Sequence, residues 1–416
     1  MPISPISQRS CDVAVIGAGP VGIITAGLIK GLNKDLVVKV FDKRPSTTRD
    51  HALRIGADSI NKIHELCKEH LALSTPTMDQ ALIRELMTIT EGWKKRHIRT
   101  SKIEETITQL VKDKIEVFRG PEHEIKKETF QEFLASTNAQ IVIGADGATD
   151  SQVREAIGAK KVEEPPLSYL LELKYNTTPE SLERGKMDCS KQAIVAEGWD
   201  FETMGRKEAD KPSKRVTLHK FIDVETHRAL LVAQKDAVKG STAKPWTLKE
   251  LSEQAKKDTK VQWVMEHIHR YFDDRDHSEE KIVTFPMTLF RSSHVVKAIG
   301  NQVVLLAGDA SAGVVLERGV NKGIIEAALC AKAVTTFFQR KPKREEMNVL
   351  PPEFQSYEQE TLSLYKNEKR WAEWKAFGLR TSEIFLKIAV TPFKWIFKAF
   401  QLLGSGIRAG LSIFMS

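Results

Sequence analysis

Three glycines near the start of the chain, Gly17, Gly19 and Gly22 in "VIGAGPVGIITAG", have the G-x-G-x-x-G spacing of a turn that cradles a phosphate. The first glycine permits the tight turn, the second lets the backbone approach a pyrophosphate, and the third lets a helix pack closely on the strand before it. Asp42 stands twenty residues beyond Gly22, where a carboxylate can accept hydrogen bonds from both hydroxyls of a ribose. A carboxylate there would repel a 2′-phosphate, so the expected bound nucleotide is FAD or NAD rather than NADP.

Two further stretches place acidic residues in glycine turns. "AQIVIGADGATDSQVREAIG" runs from Ala139 to Gly158 and holds Gly144-Ala145-Asp146-Gly147. "NQVVLLAGDASAGVVLERGVNKGIIEAALCAKAV" runs from Asn301 to Val334 and holds Gly308-Asp309, then Gly319, Asn321 and Gly323.

Each turn needs a strand before it and a helix after it. Asp12–Ile16 is apolar without alternation, as a parallel strand covered on both faces should be. Ile23, Ile24, Ala26, Leu28 and Ile29 continue as a helix that stops near Gly31 and Asn33, and Leu36–Phe41 reads as a second strand ending at Asp42. Ile141–Ile143 and Val303–Leu306 are two more buried strands, the first leading to a helix with Val153 and Arg154, the second to a helix starting near Asn321. The pattern is α/β.

At 416 residues the chain can hold two or three domains. Hydrophobic content of 41% and charged content of 28% are those of an ordinary folded protein. "MPISPISQRSCD" has no apolar core, so no secretory signal is expected. Cys11, Cys67, Cys189 and Cys330 form no C-x-x-C pair, which argues against a zinc site or a disulfide framework and for a reducing, cytoplasmic compartment. His51, His97, His123, His219 and His294 are isolated and lack metal-ligand spacing. The net charge of +8 concentrates in "KKRHIRTSK" (94–102) and "QRKPKRE" (339–345). No recognised nucleic-acid module accompanies it, and a membrane-facing surface accounts for it better.

Taken in this order, the three motifs resemble the FAD fingerprint, the DG motif and the GD motif of the class A flavoprotein monooxygenases, the family typified by p-hydroxybenzoate hydroxylase. The resemblance covers about half the chain, residues 11–60, 95–110, 139–158 and 283–335. It implies a Rossmann-like FAD-binding domain (1–158 and 283–345) with a substrate-binding β-sheet domain inserted at 159–282, and a C-terminal helical region at 346–416. Carried over by position, Asp42 holds the adenosine ribose, Arg44 lies near the adenine, Arg54 stands beside the flavin, and Arg99 helps to neutralise the pyrophosphate. Asp146 belongs to the DG turn, and Gly308 and Asp309 bind the ribityl or pyrophosphate portion. The N-terminus of the helix at Asn321 faces the flavin ring, where its partial positive charge favours the reduced anion, and Gly319 and Gly323 allow close approach.

The resemblance further implies NAD(P)H as a transient co-substrate and molecular oxygen, with a C4a-hydroperoxyflavin delivering one oxygen atom to a small, lipophilic or aromatic molecule. It has departures. Ala148, Thr149 and Asp150 separate the DG turn from Ser151, one residue more than the family pattern. The stretch Ser311–Glu317 has no proline and is about two residues short. "STTRDHALRIGADSINKIHEL" with "IRTSKIEETITQL" also looks locally similar to the MICAL branch, which oxidises protein methionines. Two other readings stay open: an FAD-dependent reductase of the geranylgeranyl-reductase type, and a degenerate flavin fold retained as a membrane-bound interaction protein.

The tail "TSEIFLKIAVTPFKWIFKAFQLLGSGIRAGLSIFMS" (381–416) has no apolar run near the roughly 20 residues of a membrane span. Thr391 caps a helix with Pro392 at its first position and Gly404 at its end. Lys387, Lys394 and Lys398 would share one face of a continuous helix, with Phe393, Trp395, Phe397 and Phe400 around it. Such a helix suits an anionic membrane surface, or docks on the FAD domain with its lysines outward.

Overall fold

The computed structural model describes residues 10–47, 52–73, 75–148, 151–164, 289–314, 317–341 and 349–374, the strands at 169–177, 194–196, 214–222 and 275–286, and short pieces between 252 and 262. The tail at 381–416, the strand expected at "RALLVAQK" (228–235) and Cys189 lie outside the described residues. The chain divides into two compact units, 1–369 and 370–416. Of the second, residues 370–374 are described and are helical.

The first unit opens with β1 (Val13–Ile16), α1 (Pro20–Leu32) and β2 (Val38–Asp42). It continues through β3 (Ala52–Arg54), α2 (Ala57–Leu73), α3 (Gln80–Trp93), β4 (His97–Arg99), α4 (Thr100–Val111) and β5 (Glu116–Arg119). After α5 (Phe130–Thr137), β6 (Ile141–Gly144) and α6 (Gln152–Ala156) come the strands β7 (Lys161–Glu163), β8 (Tyr169–Thr177), β9 (Ile194–Ala196), β10 (Lys214–Ile222) and β11 (Arg275–Pro286). The last elements are β12 (Phe290–Ser292), β13 (Val296–Ile299), β14 (Gln302–Leu306), β15 (Ala312–Gly313), α7 (Glu317–Gln339) and α8, helical from 352 to 369.

Six strands form one sheet in the order β13-β14-β6-β1-β2-β5. All neighbours pair in parallel except β13, which is antiparallel to β14 at the edge. β1 and β6 are buried along their whole length, which explains their unalternating apolar sequences. β2 and β5 lie on one side of β1, and β6 and β14 on the other. Chain order therefore reverses beside β1, and the carboxyl ends of β1 and β6 frame a switch point, where open α/β sheets hold their ligands.

Eleven of the 13 residues of α1 are buried, because other elements enclose it on several sides: α7 packs along it, and α3 and α4 touch it as well. Pro20 takes its first position, where the missing N–H would be unpaired in any case. The middle of the chain forms a four-stranded antiparallel sheet, β11-β8-β10-β9, and a small sheet, β15-β12-β7. β7 to β10 and most of β11 fall between 159 and 282, where a β-sheet region is expected; β11 runs on to Pro286.

Candidate functional site

The carboxyl ends of four adjacent parallel strands carry the motifs. Gly17 follows β1, Asp42 ends β2, Ala145 and Asp146 follow β6, and Gly308 and Asp309 follow β14. Gly17 has φ +105°, and a Cβ there would overlap the carbonyl of Ala145 across the switch point. Only glycine lets β1 turn into α1 this close to β6. A Cβ at Gly19, by contrast, would meet nothing nearer than Glu104 Oε1 at 3.9 Å and Arg44 Nη2 at 4.0 Å. The α1 N-terminus is thus approachable at Gly19, which caps the helix without a side chain of its own.

Asp42 is buried and fully engaged. Its Oδ2 accepts from the Ala18 amide at 2.7 Å and from Arg44 Nη2 at 2.8 Å; its Oδ1 accepts from the Arg44 amide at 2.8 Å and Arg44 Nε at 3.0 Å. Burial pushes this carboxyl up, but the hydrogen bonds from Arg44 and Ala18 outweigh it and hold it below the ordinary carboxylate range. Arg44 Nη2 also lies 3.6 Å from Glu104, whose side chain is completely buried. Arg44 Nη1 is buried with no hydrogen-bond partner. Asp42 and Arg44 line a small cleft of about 80 Å³ with Gly17, Gly19, Ala145 and Asp146. A glycine-lined helix terminus and an unsatisfied guanidinium donor suit the adenosine diphosphate half of a dinucleotide. A ribose could reach the Asp42 oxygens only by displacing Arg44 from them.

Asp146 caps α6. Its carboxylate accepts from Ser151 Oγ at 2.6 Å and from the Val153 amide at 3.2 Å, and burial raises its pKa despite these bonds. The buried Arg154 joins the two glycine turns, donating to Ala148 O at 3.1 Å and to Ala310 O at 3.2 Å, with its guanidinium 5.4 Å from the Phe290 ring centre. Asp309 lies in a single 3₁₀ turn, half-buried, with Oδ1 3.5 Å from where a Cβ on Gly319 would sit.

α7 begins at Glu317, one turn before Asn321. Asn321 is therefore inside the helix, and its side chain reaches across to the loop after β3. Its Oδ1 accepts from the Gly56 amide at 2.6 Å and from Ser59 Oγ at 2.9 Å, and its Nδ2 donates to Arg54 O at 2.8 Å. β3 and β4 pair antiparallel with Ala52 opposite Arg99 and Arg54 opposite His97. Arg54 and Arg99 thus share one face of this ribbon, with Arg54 exposed and Arg99 half-buried.

Arg154, Glu104 and the buried pair Lys322 and Glu326 are absent from the sequence-based candidates. The available signal was charge inside apolar periodicity: Lys322 and Glu326 fall four apart in a helix otherwise rich in Ala, Ile and Val. Among the described residues no cluster of His, Cys, Asp and Glu could hold a metal ion, and no helix is long and apolar enough to cross a membrane.

No family model matches the chain, and no curated protein matches it in sequence. Solved structures do match it. The p-nitrophenol 4-monooxygenase PnpA from Pseudomonas putida DLL-E4 superposes with a TM-score of 0.54 over 88% of each chain, at 11% identity. CndH, a myxobacterial chondrochloren halogenase described as a variant of FAD-dependent halogenases, gives 0.52 over 92% of this chain and 90% of its own, at 12% identity. The anhydrotetracycline hydroxylase OxyS from Streptomyces rimosus gives 0.50 over 91% of this chain and 73% of its own, at 16% identity. The chain thus has a mixed α/β fold, built on a mainly parallel sheet, that it shares with a monooxygenase, a hydroxylase and an FAD-dependent halogenase.

Proposed function

We propose that the chain is an FAD-dependent oxidoreductase, a monooxygenase that uses NAD(P)H and molecular oxygen to oxygenate a small lipophilic or aromatic molecule. One observation carries this reading: Gly17–Gly22, Asp42, Asp146 and Asp309, far apart in sequence, converge on the carboxyl edge of one parallel sheet at its switch point. The fold shared with a monooxygenase, a hydroxylase and a halogenase supports it.

In this reading the α1 N-terminus and Arg99 hold the pyrophosphate, Asp42 the ribose, and Arg44, once released from Asp42, the adenine end. Asp309 accepts hydrogen bonds from ribityl hydroxyls; facing a phosphate directly, its charge would repel. The α7 N-terminus brings partial positive charge toward the flavin ring. Asn321 holds the Arg54–Gly56 loop against α7, so that Arg54 stays at that end of the helix. Bound FAD would accept hydride from NAD(P)H and pass electrons to oxygen. The chain's own part is to bind, orient and keep water out.

The visible spectrum of the purified protein, followed by NADH or NADPH under air, tests the reading. Flavin bands that bleach, with oxygen uptake, are the expected result; flavin reduction without oxygen uptake would point to a reductase. Asp309→Ala should abolish flavin retention, and unchanged occupancy would refute its role.

A second reading, a degenerate flavin fold kept as an interaction protein, is favoured by the Asp42 oxygens already taken by Arg44 and Ala18. A protein that takes up no FAD on incubation would establish it over the first.

We also propose that residues 381–416 attach the protein peripherally to an anionic membrane surface inside the cell. The buried free thiols of Cys11, Cys67 and Cys330 support a reducing compartment.

A further inference from the structure

We propose that Lys322 and Glu326 are positioning residues of the flavin site: a buried ion pair in α7 that fixes the Gly308–Ala312 turn and, through it, the Asp309 carboxylate. The proposal rests on the flavin reading above and assigns its turn a mechanical support. Lys322 Nζ and Glu326 Oε1 lie 2.6 Å apart, with side-chain exposures of 1% and 0%. The rest of their bonds go to the turn. Lys322 Nζ donates to Ala312 O at 3.1 Å, Ser311 Oγ at 3.2 Å and Gly308 O at 3.4 Å. Glu326 Oε2 accepts from the Gly308 amide at 2.7 Å and from Ser311 Oγ at 2.9 Å. In sequence, Asp309 stands between these anchor points, Gly308 on one side and Ser311 and Ala312 on the other.

Stability alone does not account for such a pair. Its neighbours along α7, Ile324, Ala327, Ala328, Cys330 and Ala331, are buried and apolar. A buried ion pair in such a setting is commonly no better for stability than apolar side chains of like volume. What the charges supply here is direction: an ammonium and a carboxylate demand particular carbonyls and amides, and so select one conformation of a turn that starts with Gly308 at φ +63°. Arg154 adds a third buried contact, at Ala310 O.

The single substitution K322M would leave Glu326 buried without its counter-charge. Burial already pushes the Glu326 carboxyl up, against the pull of Lys322 and the Ser311 and Gly308 donors. The informative variant is therefore the neutral double K322M/E326Q in the full chain, which keeps an acceptor for the Gly308 amide. Three readouts are compared with the unsubstituted protein: the urea midpoint, the FAD dissociation constant by quenching of flavin fluorescence, and amide exchange of a peptide spanning 308–312. The expected result is a folded variant with a midpoint close to the original. Its FAD should bind at least tenfold more weakly, and the turn should exchange at least tenfold faster while β1 and β2 are unchanged. A folded double variant with unaltered FAD affinity overturns the proposal. If the double variant does not fold, E326D, which keeps both charges but shortens the carboxylate's reach to the Gly308 amide, is read by the same criteria. If the unsubstituted protein binds no FAD, it is the flavin reading that fails; exchange at 308–312 then decides the support by itself, faster exchange upholding it and unchanged exchange overturning it.

Discussion

At Asp42 four donors meet one carboxylate, three of them from Arg44. That arrangement makes a pH-dependent prediction. The folded pKa is lowered, so the stabilisation from the charged form is complete above the ordinary aspartate value of about 4 and is lost as pH falls through the lower folded value. Asp42→Asn, which carries no charge at any pH, should destabilise the protein by about 1–3 kcal/mol at pH 7. The gap to the unsubstituted protein should close below pH 4. Urea midpoints across pH 3–8 read this directly, and a gap independent of pH would show that the fork is not held by charge. The same substitution should weaken FAD binding at neutral pH, since a neutral amide accepts ribose hydroxyls less strongly. The position of Asp42 was legible from its distance to the glycines and the strand before it. Its bond to Arg44, two residues on, was not, because adjacency in sequence does not show whether a side chain folds back or reaches outward.

Elements were readable wherever apolar runs met glycine turns. The strand, turn and helix at 12–33 fall within a residue or two of β1 and α1, since burial on every face leaves no alternation to mislead the eye. The sequence puts the start of the helix after Asp309 near Asn321, one turn later than α7 begins. In the structure Asn321 is an interior residue whose amide stitches α7 to the loop after β3, a long-range contact with no local signature. Arg154 and Lys322 were missed for the same reason: cations in short or apolar segments, whose partners are carbonyls more than a hundred residues away or on the preceding turn. The two glycines of the first turn should separate by experiment. Gly22→Ala places a Cβ against the Gly17 carbonyl oxygen, and should cost about 1–3 kcal/mol of stability or more. Gly19→Ala has φ −65° and open space around its Cβ, so it should change stability by less than about 1 kcal/mol while weakening FAD binding at the pyrophosphate. Equal stability losses from the two would mean that Gly19 serves the turn and not the ligand.

On the scale of the whole molecule, the excess of 63 basic over 55 acidic side chains needs a partner. Several basic residues among the described ones are already neutralised locally: Lys39 by Glu116, Lys114 by Asp79, Arg340 by Glu353. The tail differs in composition. Its lysines at 387, 394 and 398 stand seven and eleven residues apart, among large aromatics. On a helix this places the charges on one face, and each is worth about 1 kcal/mol near an anionic leaflet. Such attraction is screened within about 10 Å at 0.1 M salt, so it carries a signature that apolar docking lacks. The full chain should sediment with vesicles containing anionic lipid and not with neutral ones, and raising the salt from about 0.1 M to 1 M, where screening shortens to about 3 Å, should release most of it. A variant ending at Arg380 should stay in solution at every salt concentration while keeping its flavin spectrum, since the candidate site lies wholly within residues 17–326. Retained binding in the truncated protein would transfer the membrane contact to the basic stretch at 94–102. Loss of flavin on truncation would instead make the tail part of the folded enzyme.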